Sequence, residues 1–123
     1  MRIVDSHCHL DFENFEEDID AVVERARDVG VCRMVTICTK VSAFERVLAI
    51  AERFDDVFCS VGVHPHEAER EGDVTLDRLL ALSRHPKVVG IGESGLDYYY
   101  DNSPVDAQKA SFRTHIDAAR ETG

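Results

Sequence analysis

Residues 3–11 read IVDSHCHLD, an apolar run that closes on two histidines one residue apart. In an extended segment successive side chains alternate between faces, so Asp5, His7 and His9 project from one side and Cys8 from the other. The run, Ile3 to His9, reads as a first strand. An open, doubly wound nucleotide-binding sheet would follow it with a glycine-rich phosphate loop. A histidine pair stands there instead, and an α/β barrel places its chemistry at this end of each strand.

The rest of the chain repeats the pattern of strand and helix. Phe15, Ile19, Val22, Val23, Ala26 and Val29 fall at helical spacing and Gly30 stops them. Met34 to Cys38 is a β-branched run. Ser42 with Glu45 reads as a capping box before the stripe Phe44, Val47, Leu48, Ala51 and Phe54. Val57 to Val63 is a third strand ended by His64-Pro65, and Thr75 or Asp73 caps a helix carrying Leu76, Leu79 and Leu80. Val88 to Glu93 is a fourth strand. Ser103, Pro104 and Asp106 sit in N-cap, N1 and N3 order before a last helix. Val105, Phe112, Ile116 and Ala119 form its apolar stripe, with Gly123 at the C-cap. Four alternations predict parallel strands joined by right-handed crossovers. The fold class is therefore α/β, a parallel (βα)4 half of a (β/α)8 barrel, with residues 1–123 as a single domain.

Composition narrows the function. With 44% hydrophobic and 31% charged residues the chain has a globular balance, and no run approaches the ~18 apolar residues of a membrane span. The N-terminus lacks the features of a signal peptide, so the expected location is the cytoplasm and no membrane partner is expected. Fourteen Lys and Arg against 24 Asp and Glu give a net charge of −10, which excludes a nucleic-acid platform built on bulk positive charge. A phosphate-bearing partner needs a local cation. Cys8, Cys32, Cys38 and Cys59 lie in or beside apolar runs without zinc-knuckle spacing and read as reduced thiols.

The other strand ends carry matching chemistry. Two imidazoles from one strand suit a divalent metal, and Glu93, flanked by small residues, is best accounted for as a carboxylate shared between cations. Gly92 and Gly95 permit close backbone approach or unusual dihedrals. His64 either ends its strand as a polar residue or serves the site, and Asp97 is a turn residue or a site residue. Tyr98, Tyr99 and Tyr100 are placed to stack on a base or to roof the sheet. His85 reads as a loop residue at the opposite end, His115 as a satisfied packing residue, and Gln108 as a hydrogen-bonding neighbour of strand backbone or a site ligand. Cys8 points away from the histidines and is no nucleophile.

Taken together, VDSHCHLD at 4–11, GVHPHEA at 62–68, GIGESGLDYYY at 90–100 and the spaced Gln108 and Phe112 resemble the TatD family of metal-dependent hydrolases, amidohydrolase-like TIM barrels. The motifs run the length of the chain in the family's order. The resemblance implies a deoxyribonuclease with two divalent metal ions (magnesium, manganese or zinc), acting on DNA or another nucleic acid through a metal-activated water. It implies that His7 and His9 bind one metal, that catalytic Glu93 bridges both, that His64 lies near the substrate phosphate, and that Asp97 and Tyr98 shape the adjacent substrate pocket. Ser94 stands where the family often has an apolar residue or Thr. A barrel of this kind runs to ~250 residues and its remaining metal ligands lie in the second half, so the chain resembles the N-terminal half. The isolated half is expected to self-associate through its two sheet edges. Two alternatives stand beside the nuclease: an ester or amide hydrolase such as an aminoacyl-tRNA deacylase, and a catalytically incomplete half-barrel that only self-associates.

Overall fold

A computed structural model describes residues Met1–Gly123. Its four strands are β1 (Ile3–Cys8), β2 (Val31–Thr36), β3 (Val57–Val61) and β4 (Val88–Ile91). Between and after them run α1 (Ile19–Asp28), α2 (Phe44–Arg53), α3 (Leu76–Ser83) and α4 (Val105–Thr122). All strand pairings are parallel and the order is β1-β2-β3-β4, which leaves β1 and β4 as the edges. Right-handed crossovers between neighbouring parallel strands put every helix on one side of the sheet. The other side is a concave face carrying a cleft of ≈ 430 Å³ lined by His7, Val35, Ile37, Ser60, Ile91 and Glu93. No helix is long and apolar enough to cross a membrane.

Alternation along the strands explains the core. Met34, Thr36 and Cys38 from the β2 segment, with Val57, Cys59, Val61 and Val63 from the β3 segment, turn their side chains under the helices and are buried. They meet Val23 of α1, Phe44, Val47 and Ala51 of α2, Leu79 of α3 and Ala118 of α4. All four cysteines are free, and burial pushes the Cys8 and Cys59 thiols up to about 12 and raises Cys38 as well, so none of these three is a reactive thiolate at neutral pH. Cys8 points away from the histidines and donates to the Val35 carbonyl at 3.4 Å.

Local signals gave way to tertiary contacts at several points. The first helix begins at Ile19, because residues 13–15 form a 3-10 turn that takes Phe15 out of the helical stripe. Ser42 does not cap α2; its backbone N–H and hydroxyl bind the Glu71 carboxylate, and Ala43 occupies the N-cap position. Thr75 caps α3 as expected, accepting from the Arg78 N–H at 3.2 Å. Ser103 is no cap either: Pro104 takes the N-cap position of α4, and the Ser103 hydroxyl is buried in the loop below. The buried face of α4 is Gln108, His115 and Ala118, while Val105 and Ile116 are exposed. His115 and Gln108 are buried on this face as expected, whereas Val105 and Ile116 are not, because the face is held by polar contacts that apolar periodicity cannot register.

His115 shows what such a contact does. Its Nε2 accepts the Val63 N–H at 2.9 Å and its Nδ1 donates to the Ser111 carbonyl at 2.7 Å, so the ring is neutral in the fold. Burial holds its pKa below the ordinary histidine value of 6.5, outweighing the carbonyl contact. In the unfolded chain the ring protonates near its ordinary value; in the folded chain it does so only at lower pH. Stability is therefore flat with respect to this residue above that value and falls as pH drops below it, by at most about 1.4 kcal/mol per pH unit, until the folded ring also titrates. His115→Leu should flatten that part of the curve, measured as denaturation midpoints from pH 7.5 to 5.

Candidate metal centre

Each strand ends in a loop at one rim of the sheet, and buried polar side chains tie those loops down. Thr36 Oγ1 accepts the Leu10 N–H after β1 at 3.1 Å, and Ser60 Oγ accepts the Cys38 N–H after β2 at 3.1 Å. His115 takes the Val63 N–H after β3. Ser103 Oγ accepts from Glu69 N–H at 3.2 Å and donates to the His66 carbonyl at 2.9 Å. Gln108 holds the loop after β4: its Oε1 accepts the Asp97 N–H at 2.7 Å, and its Nε2 donates to the carbonyls of Asp97 at 2.9 Å and Ser103 at 2.8 Å. These five are all of the buried polar residues, and every one works at this rim. The opposite end is tied by surface charge, with Arg27 paired to Asp56, Lys87 Nζ donating to three carbonyls, and His85 against Glu52 at 3.2 Å. Gln108→Ala should cost about 2–4 kcal/mol, because three bonds are lost and their partners stay wholly or partly shielded from water; urea denaturation measures it.

The rim brings His7, His9 and Glu93 together. One ligand atom from each lies within 4.8 Å of the others. β1 bulges between Asp5 and Cys8, with Asp5 Oδ1 accepting the His7 N–H at 3.1 Å, and His9 follows the last strand residue. The His9 ring stacks on Phe12 with centroids 4.6 Å apart, which fixes its plane. Glu93 arrives from β4, at the opposite edge of the sheet. Gly92 N–H donates to the Val61 carbonyl at 2.8 Å and Glu93 N–H to the Cys38 carbonyl, also at 2.8 Å, so the chain after β4 crosses the end of β3 to reach β2. The crossing passes directly over Gly62: a Cβ there would lie 2.5–2.7 Å from the backbone of Gly92. Gly95, at φ +142°, then turns the chain through a conformation that side chains disfavour. The sequence reading anticipated Gly92 and Gly95 and missed Gly62, whose only signal is a glycine at the end of an apolar strand.

The carboxylate of Glu93 faces two sets of imidazoles. Oε2 lies 3.7 Å from His7 Nε2 and 3.9 Å from His9 Nε2, and Oε1 lies 3.6 Å from His64 Nε2. These separations are too long for hydrogen bonds. Two ligand atoms of one divalent ion, each about 2.1 Å from it, lie roughly 3.4 Å apart at a tetrahedral angle, so the donor set of two nitrogens and an oxygen fits a shared cation. His64 differs. Its Nδ1 accepts the His66 N–H at 3.1 Å, and burial lowers its pKa, so the neutral ring carries its proton on Nε2. His64 thus presents a donor to the site where His7 and His9 have Nε2 free to ligate.

Asp97 and Tyr98 lie further along the loop that carries Glu93. Asp97 Oδ2 pairs with His66 Nε2 at 2.7 Å, which holds its carboxyl below the usual range, and Oδ1 accepts the N–H groups of Tyr99 and Tyr100 at 2.9 and 3.2 Å. Both oxygens are occupied inside the protein, so Asp97 positions the loop and His66. Tyr98 is exposed. His66 and Gln108 are the residues whose part at this rim sequence reasoning undervalued.

A family described as TatD related DNase matches residues 4–123. The chain belongs to the TatD family. Uncharacterized metal-dependent hydrolase YabD of Bacillus subtilis (strain 168) is 38% identical over 119 residues, covering 97% of this chain and 47% of YabD. A relative from Enterobacter lignolyticus named 3'-5' ssDNA/RNA exonuclease TatD is 37% identical, over 97% of this chain and 46% of its own. The crystal structure of the TatD homolog YjjV from Escherichia coli K12 superposes with a TM-score of 0.87 at 36% identity, covering 98% of this chain and 47% of that one. The TatD-family chain therefore spans about half the length of the relatives it matches, in keeping with a (βα)4 half-barrel, and its family is one of metal-dependent hydrolases.

Proposed function

We propose that this TatD-family chain supplies the N-terminal half of a phosphodiesterase acting on DNA with two divalent ions, magnesium, manganese or zinc. The observation that carries the reading is the placement of Glu93, with Oε2 toward His7 and His9 and Oε1 toward His64. In this proposal His7, His9 and Glu93 would hold the metal, with the Glu93 carboxylate the group that a second ion would share. Such ions, when bound, act as Lewis acids toward a phosphoryl oxygen and lower the pKa of water. The chain's own part is to orient. His64 keeps its Nε2–H neutral and directed to the same point, where it donates to a non-bridging phosphate oxygen without adding charge. Asp97 and Tyr98 bound the pocket beside it. The local positive charge of the ions offsets an acidic surface that would otherwise repel the substrate.

The test gives the 123-residue chain single-stranded DNA and aminoacyl-tRNA after chelation and reloading with each metal. Metal-dependent release of nucleotides is expected. Deacylation of the tRNA with intact DNA would replace the phosphodiesterase reading by an ester hydrolase using the same residues.

A further inference from the structure

Two buried side-chain polar atoms of the chain have no hydrogen-bond partner, His9 Nδ1 and Asp11 Oδ1. Both belong to the turn that follows β1, and they are complementary: a ring nitrogen that can donate and a carboxylate oxygen that can only accept when ionised. Buried polar groups left unpaired are rare enough to call for a cause. The turn itself is tied down. Leu10 N–H donates to Thr36 Oγ1 at 3.1 Å, Phe12 N–H closes on the His9 carbonyl at 3.4 Å, and the Leu10 side chain is buried. Asp11 thus stands between two anchored residues. Burial raises the Cys8 and Cys38 thiols, and the Asp11 carboxylate adds to the rise of both, so its charge lies on the core side of the rim. Neither thiol serves it: Cys8 Sγ donates to the Val35 carbonyl at 3.4 Å and Cys38 Sγ to the Lys40 carbonyl at 3.1 Å.

Stacking on Phe12 fixes the plane of the His9 ring but not its tautomer. For Nε2 to ligate, the neutral ring must carry its proton on Nδ1, and that N–H then needs an acceptor. His7, with its side chain 53% exposed, has water for the purpose, whereas His9 Nδ1 is sealed from solvent. We propose that Asp11 is a positioning residue for the metal centre: its carboxylate accepts the His9 Nδ1–H and fixes the tautomer that leaves Nε2 to ligate. The inference rests on the reading of His7, His9 and Glu93 as the metal holders and adds to them a residue that touches no ion. The bond is not made in this structure; with Leu10 and Phe12 anchored, forming it falls to the Asp11 side chain. Ligation at Nε2 withdraws charge from the ring and makes Nδ1–H a stronger donor, so pairing with a carboxylate and metal binding reinforce each other.

Zinc binding to the 123-residue chain tests this. By calorimetry, Asp11→Ala should raise Kd for zinc about tenfold or more, and Asp11→Asn, which keeps an acceptor oxygen without the charge, by a smaller factor. His9→Ala should weaken zinc at least as much as Asp11→Ala does. Proton–nitrogen spectra of histidine-labelled protein read the tautomer directly. Zinc should bring up a His9 Nδ1–H signal, shifted downfield and slow to exchange, in the unsubstituted chain and not in Asp11→Ala. A packing role for Asp11 would leave that signal where it was. Circular dichroism checks that the Ala variant is folded; if it is not, Asp11→Asn carries both comparisons. Unchanged zinc affinity or an unchanged Nδ1–H signal in the folded Asp11 variant, with His9→Ala still weakening zinc, would overturn the role of Asp11 and leave the centre standing. Zinc that does not bind, or that binds equally well to His7→Ala and His9→Ala, would remove the centre and the role of Asp11 with it.

Discussion

Replacing Glu93 with glutamine is expected to lower metal-dependent hydrolysis by about a thousandfold or more, equivalent to several kcal/mol of transition-state stabilisation, without unfolding the protein. The two halves of that expectation come from the same distances. At 3.6–3.9 Å from three imidazoles, the carboxylate makes no hydrogen bond that the fold depends on, so an isosteric amide should change stability by no more than about 0.5 kcal/mol. What glutamine loses is the negative charge and one of two equivalent oxygens, the properties that the proposed two-cation role of this side chain requires. The measurements are a thermal melt, calorimetric titration with manganese or zinc, and turnover of single-stranded DNA. A folded variant that keeps both metal affinity and turnover would remove Glu93 from the centre. His7→Ala is the matched comparison, since its ring is half-exposed and its loss should weaken metal binding while sparing the core.

The alternation of strand and helix was legible because apolar runs mark the strands: β2 and β3 are buried in the core, while the edge strands β1 and β4 keep the apolar run without a buried residue. The clustering of His7, His9 and Glu93 was legible for a related reason. His-x-His on a strand, and a carboxylate after a strand with no basic neighbour in sequence, are costly unless something shared neutralises them. The missed parts are relational. Ser42 carries a capping signature, and only the fold brings Glu71 close enough to outbid it. Gln108 and His115 were placed on the buried stripe of the last helix, but only the fold shows which backbone groups each one binds, more than ten residues away in sequence. The tautomer of His64, which separates it from the two histidines of β1, depends on one backbone N–H from His66. No residue type announces that bond.

Gly62 is the clearest case of such a relation, and its substitution tests how the centre is assembled. The chain must pass over the end of β3 for Glu93 to reach the histidines of β1, and it does so with Gly92 against Gly62. An added methyl at Gly62 would stand 2.5, 2.6 and 2.7 Å from the carbonyl carbon, Cα and oxygen of Gly92. Those are backbone atoms, anchored by the Gly92 bond to Val61 and the Glu93 bond to Cys38, so relief requires moving the segment that carries the carboxylate. Gly62→Ala should therefore cost about 1–3 kcal/mol in stability, as overpacking does, and lower turnover by about a hundredfold through displacement of Glu93 by an ångström or so. Gly90→Ala is the control: it adds the same methyl to the same crossing strand, where a Cβ meets nothing within 4 Å. Loss of metal affinity in the first variant and not the second, both folded by circular dichroism, is the expected pattern. Equal affinity in the two would mean that the position of Glu93 is set by the Cys38 and Val61 bonds alone, with the glycine contact incidental to the site.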